Sequence, residues 1–216
     1  MNVLIAGASR GIGKALFDGY AARGASVFGT HRAAEDGPML RLDVTDPASQ
    51  CALAARLEGT PIDLLVCNAG VNLDKGQQLA SGYPSAMWEA TFAANVTGVF
   101  MTIQSVLSNL RLSEQPKIAI IGSQLGSQTI ASGGGYIYCA SKAAVLNLGR
   151  NLAVDLKPEG FGVGIYHPGW VRTDMGGDSA DISMEQSASG LMARFDALGV
   201  ETTGCFETWD GQQHPF

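Results

Sequence analysis

The chain has no membrane-length apolar run, no CxxC pair and no stripe of basic residues. The first absence argues against a spanning helix, which needs about 20 consecutive apolar residues. Cys51, Cys67, Cys139 and Cys205 stand far apart, so neither a metal site nor a disulfide framework is expected. Free thiols in a reducing, cytoplasmic setting are the matching expectation. A net charge of -6 with scattered Lys and Arg argues against a nucleic-acid partner. No basic region or cleavage site of the secretory kind separates Met1-Asn2 from Val3-Leu4-Ile5. The triplet Asn95-Val96-Thr97 therefore does not read as a glycan acceptor. Aromatics are few, Ala and Gly abundant, and 216 residues fit one α/β domain spanning 1–216.

What is present alternates. Asn2 to Ala6 is a short apolar run ending at Gly7, and Gly11-Ile12-Gly13 opens a helical pattern through Leu16, Phe17 and Tyr20. A buried strand, a Gly-rich turn and a helix N-terminus make an anion site, because unpaired N–H groups and the helix dipole point outward. Gly7, Ser9, Arg10, Gly11, Ile12 and Gly13 are the turn residues expected to meet a cofactor. The spacing G-x3-G-x-G differs from G-x-G-x-x-G, and a phosphate-binding P-loop is missed at Ala8 and at Ala15.

Ser26 to Thr30 reads as a second strand. An NAD-preferring enzyme usually ends that strand with an acid that grips the ribose 2′-hydroxyl. Here His31-Arg32 stand there, with no acid before Glu35. Arg32 and Arg10 are suited to a 2′-phosphate, which favours NADPH (as NADPH/NADP+) over NADH.

Met39 to Asp43 reads as a third strand with Asp43-Val44 at its end, then a helix from about Ala48 to Leu57. Ile62 to Cys67 reads as a fourth strand stopping at Asn68-Ala69-Gly70. The alternation implies a Rossmann-type, doubly wound parallel sheet with helices on both faces. Ligands on such sheets lie at the carboxyl ends of the strands, where Gly7, His31, Asp43 and Asn68 all fall.

In the second half, 71–84 reads as a loop and apolar residues recur at helical spacing from Ser85 to about Leu110, with Asn95 inside the pattern. Lys117 to Ile121 reads as a fifth strand ending at Gly122-Ser123. A serine there can donate to a carbonyl oxygen as charge develops on it. It misses the hydrolase elbow, because Ile121 and Leu125 occupy the required glycine positions. Tyr138 and Lys142 are four apart on one helical face running to about Leu156, so the ammonium is expected near the phenol and to lower its pKa. Such a tyrosine can give and retake a proton beside an oxygen. Phe161 to His167 reads as a sixth strand, a short helix is expected from Ser183 to Leu198, and Gly204 to Trp209 as a last strand.

Together these residues resemble the short-chain dehydrogenase/reductase family over nearly the whole chain. The resemblance is carried by Gly7-x3-Gly11-Ile12-Gly13, Asp43-Val44, Asn68-Ala69-Gly70, Asn95, Ser123, Tyr138-x3-Lys142 and Pro168-Gly169-x3-Thr173. The string from His167 to Gly177 and the ending Trp209-Asp210-Gly211 look like the sniffer and C-factor branch, which implies NADPH-dependent carbonyl reduction. The resemblance implies Asn95, Ser123, Tyr138 and Lys142 as the catalytic set, with Tyr138 as proton donor and Asn95 anchoring a relay water. It implies that Tyr138 and Lys142 also meet the cofactor, with Pro168, Gly169, Val171 and Thr173 holding the carboxamide. A small-molecule carbonyl substrate and a homodimer through the two long helices are the implied partners. Ala6 departs from the Thr common in the family before the first glycine. The loop from Gln124 to Gly135 is two residues longer than in many relatives, which leaves Ser127 as a fallback for Ser123. Tyr136 competes with Tyr138 but has no lysine four residues on. A cofactor-binding sensor with little turnover, and an NAD-linked alcohol dehydrogenase, are the alternatives on the same residues.

Overall fold

The computed structural model describes residues 1–33 and 39–216, so Glu35 lies outside the described residues. Among the described residues, seven strands form one parallel sheet. They are β1 (Asn2–Ala6), β2 (Ser26–His31), β3 (Met39–Arg41), β4 (Leu64–Cys67), β5 (Lys117–Ile121), β6 (Gly162–His167) and β7 (Cys205–Thr208), in the order β3-β2-β1-β4-β5-β6-β7. Every pairing between these strands is parallel, so their carboxyl ends lie on one edge.

The central strands read as unbroken apolar runs because both of their faces are covered. Val3 and Ile5 of β1 join one cluster with Leu16 and Tyr20 of α1 (Gly11–Ala22) and Leu191 and Phe195 of α7 (Met184–Ala197). Leu4 and Ala6, pointing the other way, join Leu53 of α2 (Pro47–Arg56), Val99 and Ile103 of α4 (Gly98–Ser105), and Val145 and Leu146 of α6 (Tyr136–Leu156). The doubly wound sheet is the expected one.

Local caps set several helix starts. Asp46 accepts the Ala48 N–H at 2.9 Å ahead of Pro47, and Ser183 with Gln186 forms a capping box at α7. The pattern from Ser85 to Leu110 is not one helix. It divides into α3 (Ser85–Phe92), a π-helical turn (Ala93–Thr97), α4, and α5 (Leu107–Leu110) after a break at Val106. Periodicity alone does not reveal such a turn, because the buried positions Thr91, Ala94, Asn95, Val99 and Ile103 keep a three-to-four-residue spacing through it. The third strand also stops early, at Arg41, because Asp43 turns back to bind Thr45.

Candidate active site

The glycine turn follows β1 and is held by backbone contacts that side chains would block. Gly7 has φ +84°, and a Cβ there would meet Ala69 at 2.9–3.0 Å. At Gly13, a Cβ would overlap the Gly7 carbonyl oxygen. Asn68 donates to that same carbonyl at 2.7 Å, and the Ala69 N–H reaches the Ala6 carbonyl at 2.8 Å. The Gly7 N–H donates to the Thr30 hydroxyl at 3.0 Å. Thr30, at the end of β2, thus steadies a turn that Ala6 has no hydroxyl to hold. Sequence reading missed it because the contact is between strands.

Ser9 and Arg10 are exposed, and Arg10, at the N-cap position of α1, makes no cap of its own. Its guanidinium instead pairs with Asp174 at 2.6 Å. Ile12 packs beside the α1 core, and Gly11 faces the Thr173 methyl, 3.6 Å from where a Cβ would stand. His31 and Arg32 are exposed at the end of β2. Asp43 accepts from the Thr45 N–H and hydroxyl, which hold its carboxyl below the usual range, with smaller help from Arg32 and Arg41. Val44 packs against Gly98 and accepts from Gln50 at 3.2 Å.

At the other end of the edge the groups are buried. Asn95 lies in the π-helical turn, 1% exposed, and clasps the Val71 backbone from both sides. Its Oδ1 accepts the Val71 N–H at 2.8 Å, and its Nδ2 donates to the Val71 carbonyl at 2.9 Å and to Ser141 at 3.0 Å. Gly70 sits against Asn95, where a Cβ would come within 3.1 Å of its oxygen. Ser123 follows β5, 6% exposed, and its hydroxyl accepts the Leu125 N–H at 3.2 Å. Ser127 turns away to Thr129 at 2.9 Å, and Tyr136 packs edge-on against Tyr83.

Lys142 is buried and donates to the Ile121 carbonyl at 2.8 Å. Its nitrogen lies 5.7 Å from the Tyr138 ring centre. Burial pulls the ammonium down to about 8. The Tyr138 pKa moves opposite to the sequence expectation. Burial pushes it up, opposed by the Ser123 hydrogen bond. The lysine is near the ring, but its charge is directed at a backbone carbonyl.

The segment after β6 closes the edge. The Pro168 carbonyl accepts from Ser187 at 2.6 Å, and at Gly169, with φ +87°, a Cβ would collide with Ile182 and Trp209. Val171 bridges to Ile182, while Thr173 accepts the Gly176 N–H at 3.1 Å. The expected site residues therefore lie along one edge of the sheet. A neutral phenol beside a serine hydroxyl, backed by a buried ammonium, can protonate an oxygen.

This sheet and glycine turn define a Rossmann-type dinucleotide fold, and a family model described as short chain dehydrogenase matches residues 1–182. The chain belongs to the short-chain dehydrogenase/reductase family. It is 35% identical over 167 residues to the C-signal protein of Myxococcus xanthus, covering 76% of this chain and 99% of that one. The carbonyl reductase Sniffer of D. melanogaster superposes with a TM-score of 0.91 at 26% identity, over 100% of this chain and 99% of the other. The NADPH-bound carbonyl reductase from chicken fatty liver gives 0.90 at 27%, over 100% and 98%. Among the described residues, no helix is long and apolar enough to cross a membrane.

Proposed function

We propose that the protein is an NADPH-linked reductase, one domain spanning 1–216, that converts an aldehyde, ketone or quinone to an alcohol. The observation that carries the reading is the placement of Ser123, Tyr138 and Lys142, with Asn95 behind them, on the edge that also bears the glycine turn.

The residues present fit a dinucleotide. Gly7 and Gly13 bring backbone onto backbone, leaving the α1 N-terminus to an anion. Lys142 carries three N–H donors and gives one to Ile121, so a buried cation retains donors for ribose hydroxyls. Asp43, Val44 and Asn68 to Gly70 would flank the nucleoside, and Pro168, Gly169, Val171 and Thr173 the carboxamide. Arg32 would meet a 2′-phosphate, and Arg10 would do so on leaving Asp174. When bound, the reduced nicotinamide supplies a hydride to the carbonyl carbon.

The chain's own groups do the rest. Ser123 accepts from Leu125, and its hydroxyl proton would turn from the Tyr138 oxygen to a substrate oxygen. Tyr138, its pKa raised, is a phenol at neutral pH and so stands in the donor form that reduction requires. Lys142 would balance the phenolate left after transfer. Asn95 commits its carboxamide to Val71 and Ser141, so a relay would use its remaining lone pair or the backbone of the π-helical turn.

Loss of NADPH absorbance with a panel of aldehydes, ketones and quinones, with NADH in parallel, tests the reading. Turnover favouring NADPH supports it, and an NADH preference would refute the role of Arg32. The name of the C-signal relative favours a second reading, a signalling protein of this fold with little turnover. Tight cofactor binding without any carbonyl turnover would select it. A homodimer belongs to the proposal as well, since α3, α4 and α6 leave Trp88, Phe100 and Val154 exposed.

A further inference from the structure

The catalytic helix begins without a local cap. Ser132 and three glycines precede α6, with φ of +70°, +67° and +54° at Gly133, Gly134 and Gly135, and Gly135 has no side chain to accept a hydrogen bond. A helix start leaves N–H groups unpaired, and an uncapped one frays. Here the acceptor comes from 63 residues away in the chain. Asp74, in the loop 71–84, is 0% exposed, and its Oδ2 accepts the Ile137 N–H at 2.8 Å and the Tyr138 N–H at 3.4 Å. The carboxylate also sits at the positive end of a 21-residue helix.

The same loop meets α6 at two further points. The Tyr83 ring packs edge-on against Tyr136 at 5.2 Å, although Tyr83 itself has φ +64°, a backbone region that bulky residues rarely occupy. Asn95 joins the backbone of Val71 to Ser141 of α6. Tyr138 is the third residue of α6, whereas Ser123 is placed by the end of β5. The relation between their hydroxyls therefore depends on how the first turn of α6 is held.

We propose that Asp74 is a positioning residue that fixes the first turn of α6 to the loop 71–84 and so sets the Tyr138 hydroxyl against Ser123. Its effect on turnover rests on the reading of Tyr138 as proton donor. Asp74→Ala, Asp74→Asn and Asp74→Glu separate this role from a merely structural one. The measurements are kcat, KM, NADPH affinity, thermal unfolding, and the Tyr138 phenol titration by ultraviolet absorbance against a Tyr138→Phe blank.

Misplacing a reacting group by about 1 Å costs up to ~10²-fold, so Asp74→Ala loses about 10- to 100-fold in kcat while NADPH affinity stays within about threefold. Asp74→Asn keeps an acceptor oxygen and restores most of the rate. Asp74→Glu keeps the charge but adds a methylene to an enclosed site, and it lowers kcat. A folded Asp74→Ala with wild-type kcat would overturn the proposal. So would a loss that only follows NADPH affinity or the folded fraction, or an Asp74→Asn as impaired as Asp74→Ala. Should Asp74→Ala fail to fold, an Asp74→Glu with wild-type kcat would overturn it. If the wild type reduces no carbonyl, the proton-donor reading fails, and the titration still decides on Asp74. In the variant with the weakest cap that folds, the Tyr138 pKa falling toward its ordinary value of 10.0 supports positioning, and an unchanged titration contradicts it.

Discussion

The two ends of the proposed site lie in different media. At the proposed nucleotide end, Arg10, His31, Arg32 and Asp174 stand in water, and the Arg10–Asp174 pair has side chains 75% and 79% exposed. At the proposed catalytic end, Asn95, Ser123, Ser141 and Lys142 are all under a tenth exposed. Exposed pairs are screened and contribute about 0–1 kcal/mol. In the interior an unpaired polar group is costly and a satisfied one is strongly oriented. Changes at the first end should therefore tune affinity, and changes at the second should alter turnover and stability.

Lys142→Met tests the buried end hardest. It removes a buried donor, so turnover falls about 10²- to 10³-fold, read by steady-state kinetics. Stability should move the other way. Below about pH 8 the folded and unfolded chains both hold the Lys142 proton, and the fold carries the full cost of a buried ammonium. From there to ~10.4 the folded chain releases the proton first, so stability rises with pH across that window. Lys142→Met lacks both the cost and the rise. It should be more stable than the wild type at pH 7 by about 1–3 kcal/mol, with the gap closing near pH 10. Denaturant unfolding at the two pH values measures this, and a constant gap would break the assignment.

Asn95→Ala leaves the Val71 N–H and carbonyl unpaired and should cost about 2–4 kcal/mol, seen as a lowered melting temperature. A neutral result would remove Asn95 from the buried network. At the exposed end, Arg32→Glu should weaken NADPH about 10- to 100-fold and leave NADH unchanged, from the loss of a charge-assisted bond. A fall in kcat instead would erase the distinction between the ends. Asp174→Ala should change NADPH affinity by less than about threefold, in either direction, by equilibrium titration.

Legibility followed sequence distance. β1 coincides with its apolar run from Asn2 to Ala6, and the glycine turn is visible because Gly7 and Gly13 have no tolerated substitute at such approaches. The Tyr138–Lys142 pair is legible through helical spacing. The direction of the Tyr138 pKa was not, because it depends on burial and on the Lys142 nitrogen turning to Ile121, a residue of β5. Thr30 and Asp74 escaped for the same reason: each acts through a hydrogen bond between segments distant in the chain. The π-helical turn at Asn95 left no mark on the apolar pattern around it.

Tyr138→Phe is the most direct test of the central claim, measured by NADPH binding and NADPH consumption on the same preparation with a carbonyl that the wild type reduces. The account predicts a turnover loss of about 10²- to 10⁴-fold with NADPH affinity largely retained. Near-wild-type turnover in the folded variant would contradict it.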